Sequence, residues 1–381
     1  MNWTAVRART PGVDADAVAA AVGQVLDPEI RRPIGELGMI AGVVPARRGA
    51  VEVTIRLTTA SCPLSGRIRD EVTAAASRVP GVDAVTVSFT EMSPRQRADL
   101  AASLRADAPS LTGGLGARPR IYAVASGKGG VGKSSVTANL AVALAMAGGK
   151  VGVLDADVWG YSIPQLFGVR QSPVTVGGLM MPVQAHGVSL MSMGFLVPDG
   201  QPVVWRGPML HKALEQFLVD VHWGELDTLL LDLPPGTGDI QLSLLELVPD
   251  AALLAVTTPQ PAARGVATRV VRMARDAGMP VAGIVENMSA TVCSGCGAVE
   301  SVFGSGGGAE LAAEAGAPLL GQIPLDLALR EAGDAGVPVV LSRADAPSAR
   351  ALESLARRLP DTRRSLVGRA LPLFPVRAAG G

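Results

Sequence analysis

The chain has 381 residues, 48% of them hydrophobic and 18% charged, which excludes global disorder and leaves apolar mass for more than one packed domain. Its 34 basic and 34 acidic residues cancel, which removes the electrostatic case for a nucleic-acid or anionic-membrane partner. No apolar run approaches the ~18 residues of a membrane span, and Met1 to Asp14 lacks a signal-type apolar core, so the expected location is cytoplasmic.

Asp14 is placed to cap a helix over Ala15–Leu26, whose apolar positions fall at helical spacing. Val51–Thr58 alternates apolar with polar residues and reads as a strand with one buried face. A turn at Ser61-Cys62-Pro63, a helix over Ser65–Arg78 and an alternating strand over Val82–Phe89 complete a small α+β unit. Between Ser93 and Arg118 the chain turns polar and then Pro/Gly-rich, a linker signature. Beyond it, short apolar strands alternate with helices. Strands are expected at Ile121–Ser126, Val151–Asp155, Thr228–Leu233, Ala252–Thr257, Val281–Glu286 and Leu319–Ile323, and helices at Ser134–Gly148 and Ala262–Ala277. Near-continuous apolar strands of this kind are covered on both faces. The expected fold class is α/β, a mostly parallel sheet preceded by the small α+β domain. The expected boundaries are 1–94 for the small domain, 95–118 for the linker, 119–365 for the larger domain and 366–381 for a loose, Pro-containing tail.

The strongest chemical signal is Gly127-Lys128-Gly129-Gly130-Val131-Gly132-Lys133-Ser134, which fits the phosphate-cradling spacing and has a strand before it and a helix after it. Its glycines let backbone N–H groups converge on phosphate oxygens, and the helix N-terminus adds a favourable dipole. Lys133 would reach the β- and γ-phosphates and Ser134 would ligate Mg²⁺. Only four of the 34 basic residues are lysines, and two of them, Lys128 and Lys133, lie in this loop, which points to a need there for a compact ammonium. Asp232 ends an apolar strand and is the natural Mg²⁺ partner; Asp155 and Asp157 close another strand and could hold a metal or an attacking water. Pro234–Asp239 is a loop able to sense a γ-phosphate. The glycine run Gly304–Gly308 reads as a flexible loop.

Cys293 and Cys296 form a C-x-x-C pair, and Cys62 stands alone before a helix. Two thiolates make half of a usual zinc or [4Fe–4S] ligand set, and there is no second pair, so a symmetric dimer donating two ligands from each subunit is one solution. A redox dithiol and a zinc site completed by a histidine remain open alternatives. Cys62 by itself reads as a small buried hydrophobe.

These residues resemble the Mrp/ApbC group of iron–sulfur cluster carrier ATPases, within the deviant-Walker class that includes the ParA and MinD types. The resemblance rests on the loop with its extra Lys128, on Asp155-Ala156-Asp157 with Gly160-Tyr161-Ser162-Ile163-Pro164, on Asp232 to Asp239, and on Glu286-Asn287-Met288-Ser289 ahead of the cysteine pair. It implies that Lys128 reaches a partner subunit's ATP, that Asn287 touches adenine, that Asp157 lies near the attacking water, and that Cys293 and Cys296 bridge a [4Fe–4S] cluster in a homodimer. Asp27-Pro28-Glu29, Glu36-Leu37-Gly38-Met39 and Thr58 to Pro63 resemble the small iron–sulfur-assembly domain, which implies a role for Cys62 as an auxiliary, transient cluster or exchange thiol.

The resulting expectation is a carrier that hydrolyses ATP and passes its cluster to apo iron–sulfur proteins, with a cluster-assembly scaffold as a further partner. Lys128, Lys133 and Asp157 would be catalytic; Gly127 to Ser135 (with Ser135 closing the loop) and Asn287 would hold ATP; Ser134, Asp155 and Asp232 would hold Mg²⁺; and Cys293 and Cys296 would hold the cluster. The flanks of the cysteine pair, Ser289-Ala290-Thr291-Val292, read as small and polar, which predicts an exposed cluster. The rival expectations are a ParA/MinD-type positioning ATPase and a zinc-stapled P-loop scaffold.

Overall fold

The computed structural model describes residues 13–59, 64–107, 119–197, 207–293 and 295–362. In the first part, α1 (Ala15–Gly23) begins at Asp14, whose carboxylate accepts from the N–H groups of Asp16 and Ala17. It packs with β1 (Ile40–Pro45), β2 (Ala50–Leu57), α2 (Ser65–Ala76) and β3 (Ala84–Glu91). The sheet order is β1-β2-β3, antiparallel and then parallel. Val51, Val53, Ile55 and Leu57 are buried at every second position of β2, as its alternation dictates.

A helix, α3 (Pro94–Asp107), occupies most of the segment expected to be a linker. Ser93 and Gln96 cap its start reciprocally, each side chain accepting from the other's backbone N–H. Leu100, Ala101 and Leu104 are buried in the core of the small unit, together with Val176, Leu179 and Met181 from the larger one. The helix is polar on average, so its apolar positions are too few to stand out in the sequence. Residues 108–118 lie outside the described residues, as do the tail from 363 onward and Cys62.

The larger unit continues through β4 (Arg120–Ser126), α4 (Lys133–Met146), β5 (Val151–Asp155), α5 (Ile163–Leu166) and four short strands, β6 (Val174–Val176), β7 (Leu179–Met181), β8 (Val183–Ala185) and β9 (Val188–Ser192). Then come α6 (Gly207–Val219), β10 (Thr228–Asp232), α7 (Asp239–Leu247), β11 (Ala252–Thr257), α8 (Pro261–Asp276), β12 (Val281–Val292) and β13 (Val299–Glu300). The described chain closes with α9 (Gly307–Glu314), β14 (Leu319–Leu325), α10 (Leu327–Ala335), α11 (Val339–Ser342) and α12 (Pro347–Arg358).

The main sheet runs β13-β12-β11-β4-β10-β5-β9-β8, with β14 also paired to β12. Its pairs are parallel except where β8 and β13 join at the two edges. Alternate residues feed opposite cores: Ile121, Ala123 and Ala125 pack on one face, and Tyr122 and Val124 on the other. That double burial explains why the central strands are apolar throughout. The register aligns Asp232 with Asp155 on β5 and with Val124 on β4, so two carboxylates and the start of the glycine loop meet at one carboxyl edge of the sheet.

Candidate functional site

The loop after β4 turns through Gly130 and Gly132, at φ +81° and +79°, into α4, whose first residues face the edge of the sheet. Gly127 is required for a different reason. A Cβ there would lie 2.4 Å from the backbone N of Ala267, so α8 packs directly on the loop. Ser126, the loop from Lys128 to Ser135, Asp157, Trp159, Gly160, Ser162, Pro234 and Pro235 surround a cavity of about 460 Å³, within the range for small-ligand sites. All of the loop residues expected to hold ATP line it except Gly127, which buttresses the loop from behind.

Lys133 is buried and its Nζ donates to Asp232 Oδ2 at 2.6 Å. Ser134 Oγ donates to the same oxygen at 2.6 Å, and Thr137 Oγ1 donates to Oδ1 at 2.6 Å. Asp232 is thus held by three donors, and Ser134 Oγ, on the cavity wall, and the Oδ2 of the buried Asp232 behind it form a pair of hard oxygens that suits Mg²⁺. Lys133 would leave this pair to meet a phosphate.

Asp155, expected to help hold Mg²⁺, is engaged by the surrounding chain. Oδ1 accepts from Asp157 N, and Oδ2 accepts from Ile163 N and Ser192 Oγ, at 3.0–3.2 Å. The carboxylate therefore ties down both ends of the loop that carries Asp157, and it is fully buried. Burial first, and the nearby Asp232 charge second, raise its pKa, against the pull of Lys133. Asp157 in turn accepts from the N–H groups of Trp159 and Gly160 while lining the cavity.

Lys128 also lines the cavity, and its Nζ donates to Gln260 Oε1 of the same chain at 3.2 Å. Asn287 is 2% exposed and lies beneath the loop, where Nδ2 donates to Val131 O at 2.8 Å. Its Oδ1 is buried without a partner, an acceptor that a ligand N–H would satisfy. Gly306 (φ +83°) starts α9, and the N–H of Gly308 donates to the buried Glu286. The end of the run expected to be a flexible loop is thus a helix start, where Gly307 packs on Pro259 and Gly308 on Glu286 too closely for a side chain.

The cysteine pair closes the β12–β13 hairpin. Cys293 N donates to Ala298 O, and Gly297 N, at φ +71°, donates to Cys293 O. The N–H groups of Cys296 and then Gly295 point at the Cys293 sulfur and lower its pKa, with a further contribution from the Cys296 thiol. Both thiols are exposed. Among the described residues no group of three or more His, Cys, Asp or Glu could hold a metal, so the pair offers two thiolates from one chain. Val292, in the flank expected to be small and polar, stands opposite Val299 across the hairpin, at 41% and 70% exposure.

Sequence reasoning missed Thr137, Gln260 and Ser192, and also Gln241, which bonds Pro234 O and Gly238 N and so fixes the loop after β10. The single available signal was Thr137, one turn after Lys133. Gln241 lies only three residues beyond Gly238, whereas Gln260 and Ser192 reach the site from distant segments.

A glycine loop between a central parallel strand and a buried helix, with an acid ending the adjacent strand, defines a P-loop NTPase, a class whose fold implies nucleotide hydrolysis. A profile described as NUBPL iron-transfer P-loop NTPase matches residues 118–360, and one described as iron–sulfur cluster assembly protein matches residues 15–89. An iron–sulfur cluster carrier protein of Mycobacterium tuberculosis (strain H37Rv) is 49% identical, with 95% of this chain and 97% of that one covered. The carrier protein of Escherichia coli K12 is 48% identical over 65% of this chain and 67% of its own. A nucleotide-binding protein of Archaeoglobus fulgidus, solved in complex with ADP, is 36% identical with a TM-score of 0.51, covering 64% of this chain and 90% of that one. The chain belongs to the family of iron-transfer P-loop NTPases known as iron–sulfur cluster carriers. No helix among the described residues is long and apolar enough to cross a membrane.

Proposed function

We propose that the protein is an ATP-hydrolysing carrier that binds a [4Fe–4S] cluster between two copies of the chain and transfers it to apo-proteins. The observation that carries this reading is the cysteine hairpin: a preformed turn with an activated Cys293 thiol, exposed, and supplying half of a four-thiolate set. A single-chain zinc staple would need further ligands beside the pair, and none stands there among the described residues.

In the nucleotide site, the N–H groups of Gly129 to Ser135 would cradle the phosphates of ATP, and Lys133 would move from Asp232 onto the β- and γ-oxygens. Ser134 and Asp232 would hold Mg²⁺, which supplies charge neutralisation at the phosphates. Asp157, held by Asp155, would orient the attacking water, and Lys128 would exchange Gln260 for the partner subunit's nucleotide. Asn287 Oδ1 would accept from the adenine amine. The N-terminal unit, with Cys62, would act as an exchange point for the cargo, receiving it from an assembly scaffold. The main ATPase unit would span 119–365 as expected from the sequence.

Transfer is the step to test. Reconstituted protein is mixed with an apo-protein whose activity returns on receiving a [4Fe–4S] cluster, with and without Mg-ATP, and Lys133→Ala is run in parallel. Faster recovery with ATP in the wild type, and none of that acceleration in Lys133→Ala, supports the coupled carrier. Equal transfer by both proteins removes the coupling, and no transfer by either removes the carrier reading.

A further inference from the structure

One strand joins the two sites. Going along β12, Asn287 bonds Val131 in the glycine loop, and it lies so close that a Cβ on Gly132 would meet its Nδ2 at 2.2 Å. The next residue, Met288, has φ +57°, a left-handed conformation that an unbranched bulky side chain rarely adopts. Among the described non-glycine residues with positive φ, Arg31, Arg48 and His186 lie in turns, whereas Met288 lies inside a strand. Its Cε stands 3.8 Å from the position a Gly132 Cβ would take, so its side chain also packs beneath the loop. The pairing of β12 with β14 breaks register between Asn287 and Thr291, around this residue.

Beyond Met288 the strand is fixed again. Ser289 Oγ donates to Ile323 O, and Thr291 and Val292 pair with Glu300 and Val299. Cys293 follows directly, tied to Ala298. The segment from Ser289 to the cysteine turn is therefore one braced unit, joined to the nucleotide loop through a single residue in a sparsely populated conformation. Such conformations persist where surrounding contacts over-determine them, and they concentrate at switching segments. A ligand that engages Val131 or the unpartnered Asn287 Oδ1 acts on the residue immediately before that joint.

We propose that Met288 is a positioning residue that couples nucleotide occupancy of the glycine loop to the accessibility of the Cys293 and Cys296 thiols. A change of backbone angle at this one position would turn the hairpin together with the end of β14 that it bonds at Ile323 and Leu325, moving the thiols relative to the glycine loop. The proposal rests on the assignment of nucleotide to the glycine loop and cargo to the cysteine pair, but its test needs no cluster.

Metal-free, reduced full-length protein is alkylated with iodoacetamide, with and without saturating Mg-ATP, and the rates at Cys293 and Cys296 are read by peptide mass spectrometry. The wild type is expected to show a rate change of about fivefold or more on adding nucleotide, the scale of an ordinary coupling between sites. Met288→Gly frees the backbone at that position and removes the packing, so its ratio should fall to within about twofold of unity. Because Met288 packs beneath the glycine loop, ATP is supplied at a level saturating for each protein, so that the ratio reads coupling and not affinity. No nucleotide effect in the wild type, or the full effect retained in Met288→Gly, overturns the proposal. Should Met288→Gly fail to fold, hydrogen exchange in the wild type decides: altered protection at Ser289–Val292 on ATP binding is expected, and unchanged protection there overturns it. A missing cluster in a separate iron assay would remove the carrier reading while leaving this coupling to stand or fall on its own.

Discussion

Replacing Thr137 by valine removes one oxygen from a fully buried site while keeping the shape of the side chain. Thr137 Oγ1 donates to Asp232 Oδ1 at 2.6 Å, and it also approaches Lys133 O at 3.0 Å, so the substitution strips one of the three donors on a carboxylate that has no access to water. Hydrogen bonds to charged groups contribute about 1.5–3 kcal/mol, and the buried methyl returns only part of that. With a urea slope of about 2 kcal/mol/M, the unfolding midpoint of the ATPase unit should fall by about 1 M. Asp232 would also lose its fixed orientation toward Ser134, and outer-shell losses of this kind lower metal affinity or activity about 10- to 100-fold. The assay is ATP hydrolysis against Mg²⁺ concentration, beside urea unfolding followed by circular dichroism. Thr137→Val should need more Mg²⁺ for half-maximal rate. Unchanged midpoint together with unchanged Mg²⁺ dependence would refute the assignment of Asp232 as a carboxylate positioned by three donors.

Gly127→Ala should destabilise the protein by about 1–3 kcal/mol, since its Cβ would collide with the rigid backbone of α8; a thermal melt and nucleotide binding read the two consequences together. Glu29 is pushed up to about 7 by burial and by the neighbouring Asp27 charge, above its ordinary 4.5. Folding thus favours its neutral form, so the stability it contributes is present below about pH 4.5 and is lost as the pH rises through about 7. Glu29→Gln should therefore raise the urea midpoint at pH 8 and change it little at pH 5, by an amount reduced because the side chain is partly solvated. Leu104→Asp, on the face of α3 buried with Val176 and Leu179, should open α3 itself (Pro94–Asp107) to limited proteolysis, whereas an unaltered digestion pattern would contradict the docking of α3.

Much of this molecule is legible in the sequence, for definite reasons. The central strands β4, β5, β10 and β11 are buried on both faces and leave unbroken apolar runs, so their positions can be read directly. β12 reads as ending at Glu286 because Asn287, Ser289 and Thr291 interrupt the apolar run, yet the strand continues to Val292 through pairing with β13 and β14. The strands β6 to β9 are three to five residues long, too short for a period to register. The glycine loop and the cysteine pair are visible because their spacing is local. The bonds that organise them are not: Ser192 to Asp155 spans 37 positions, Lys128 to Gln260 spans 132 and Asn287 to Val131 spans 156. The α3 helix hid behind a polar average, and only its Ser93–Gln96 cap marked it.

The central claim is that two copies of the chain share a [4Fe–4S] cluster through Cys293 and Cys296. Anaerobic purification, with iron, acid-labile sulfide and zinc measured beside the absorption spectrum, tests it on the wild type and on Cys293→Ala/Cys296→Ala. A shared cluster gives about four iron and about four sulfide per dimer, with absorption near ~400 nm, all lost in the double variant. Zinc without sulfide, persisting after reconstitution with iron and sulfide, would contradict it and leave a P-loop NTPase with a structural metal.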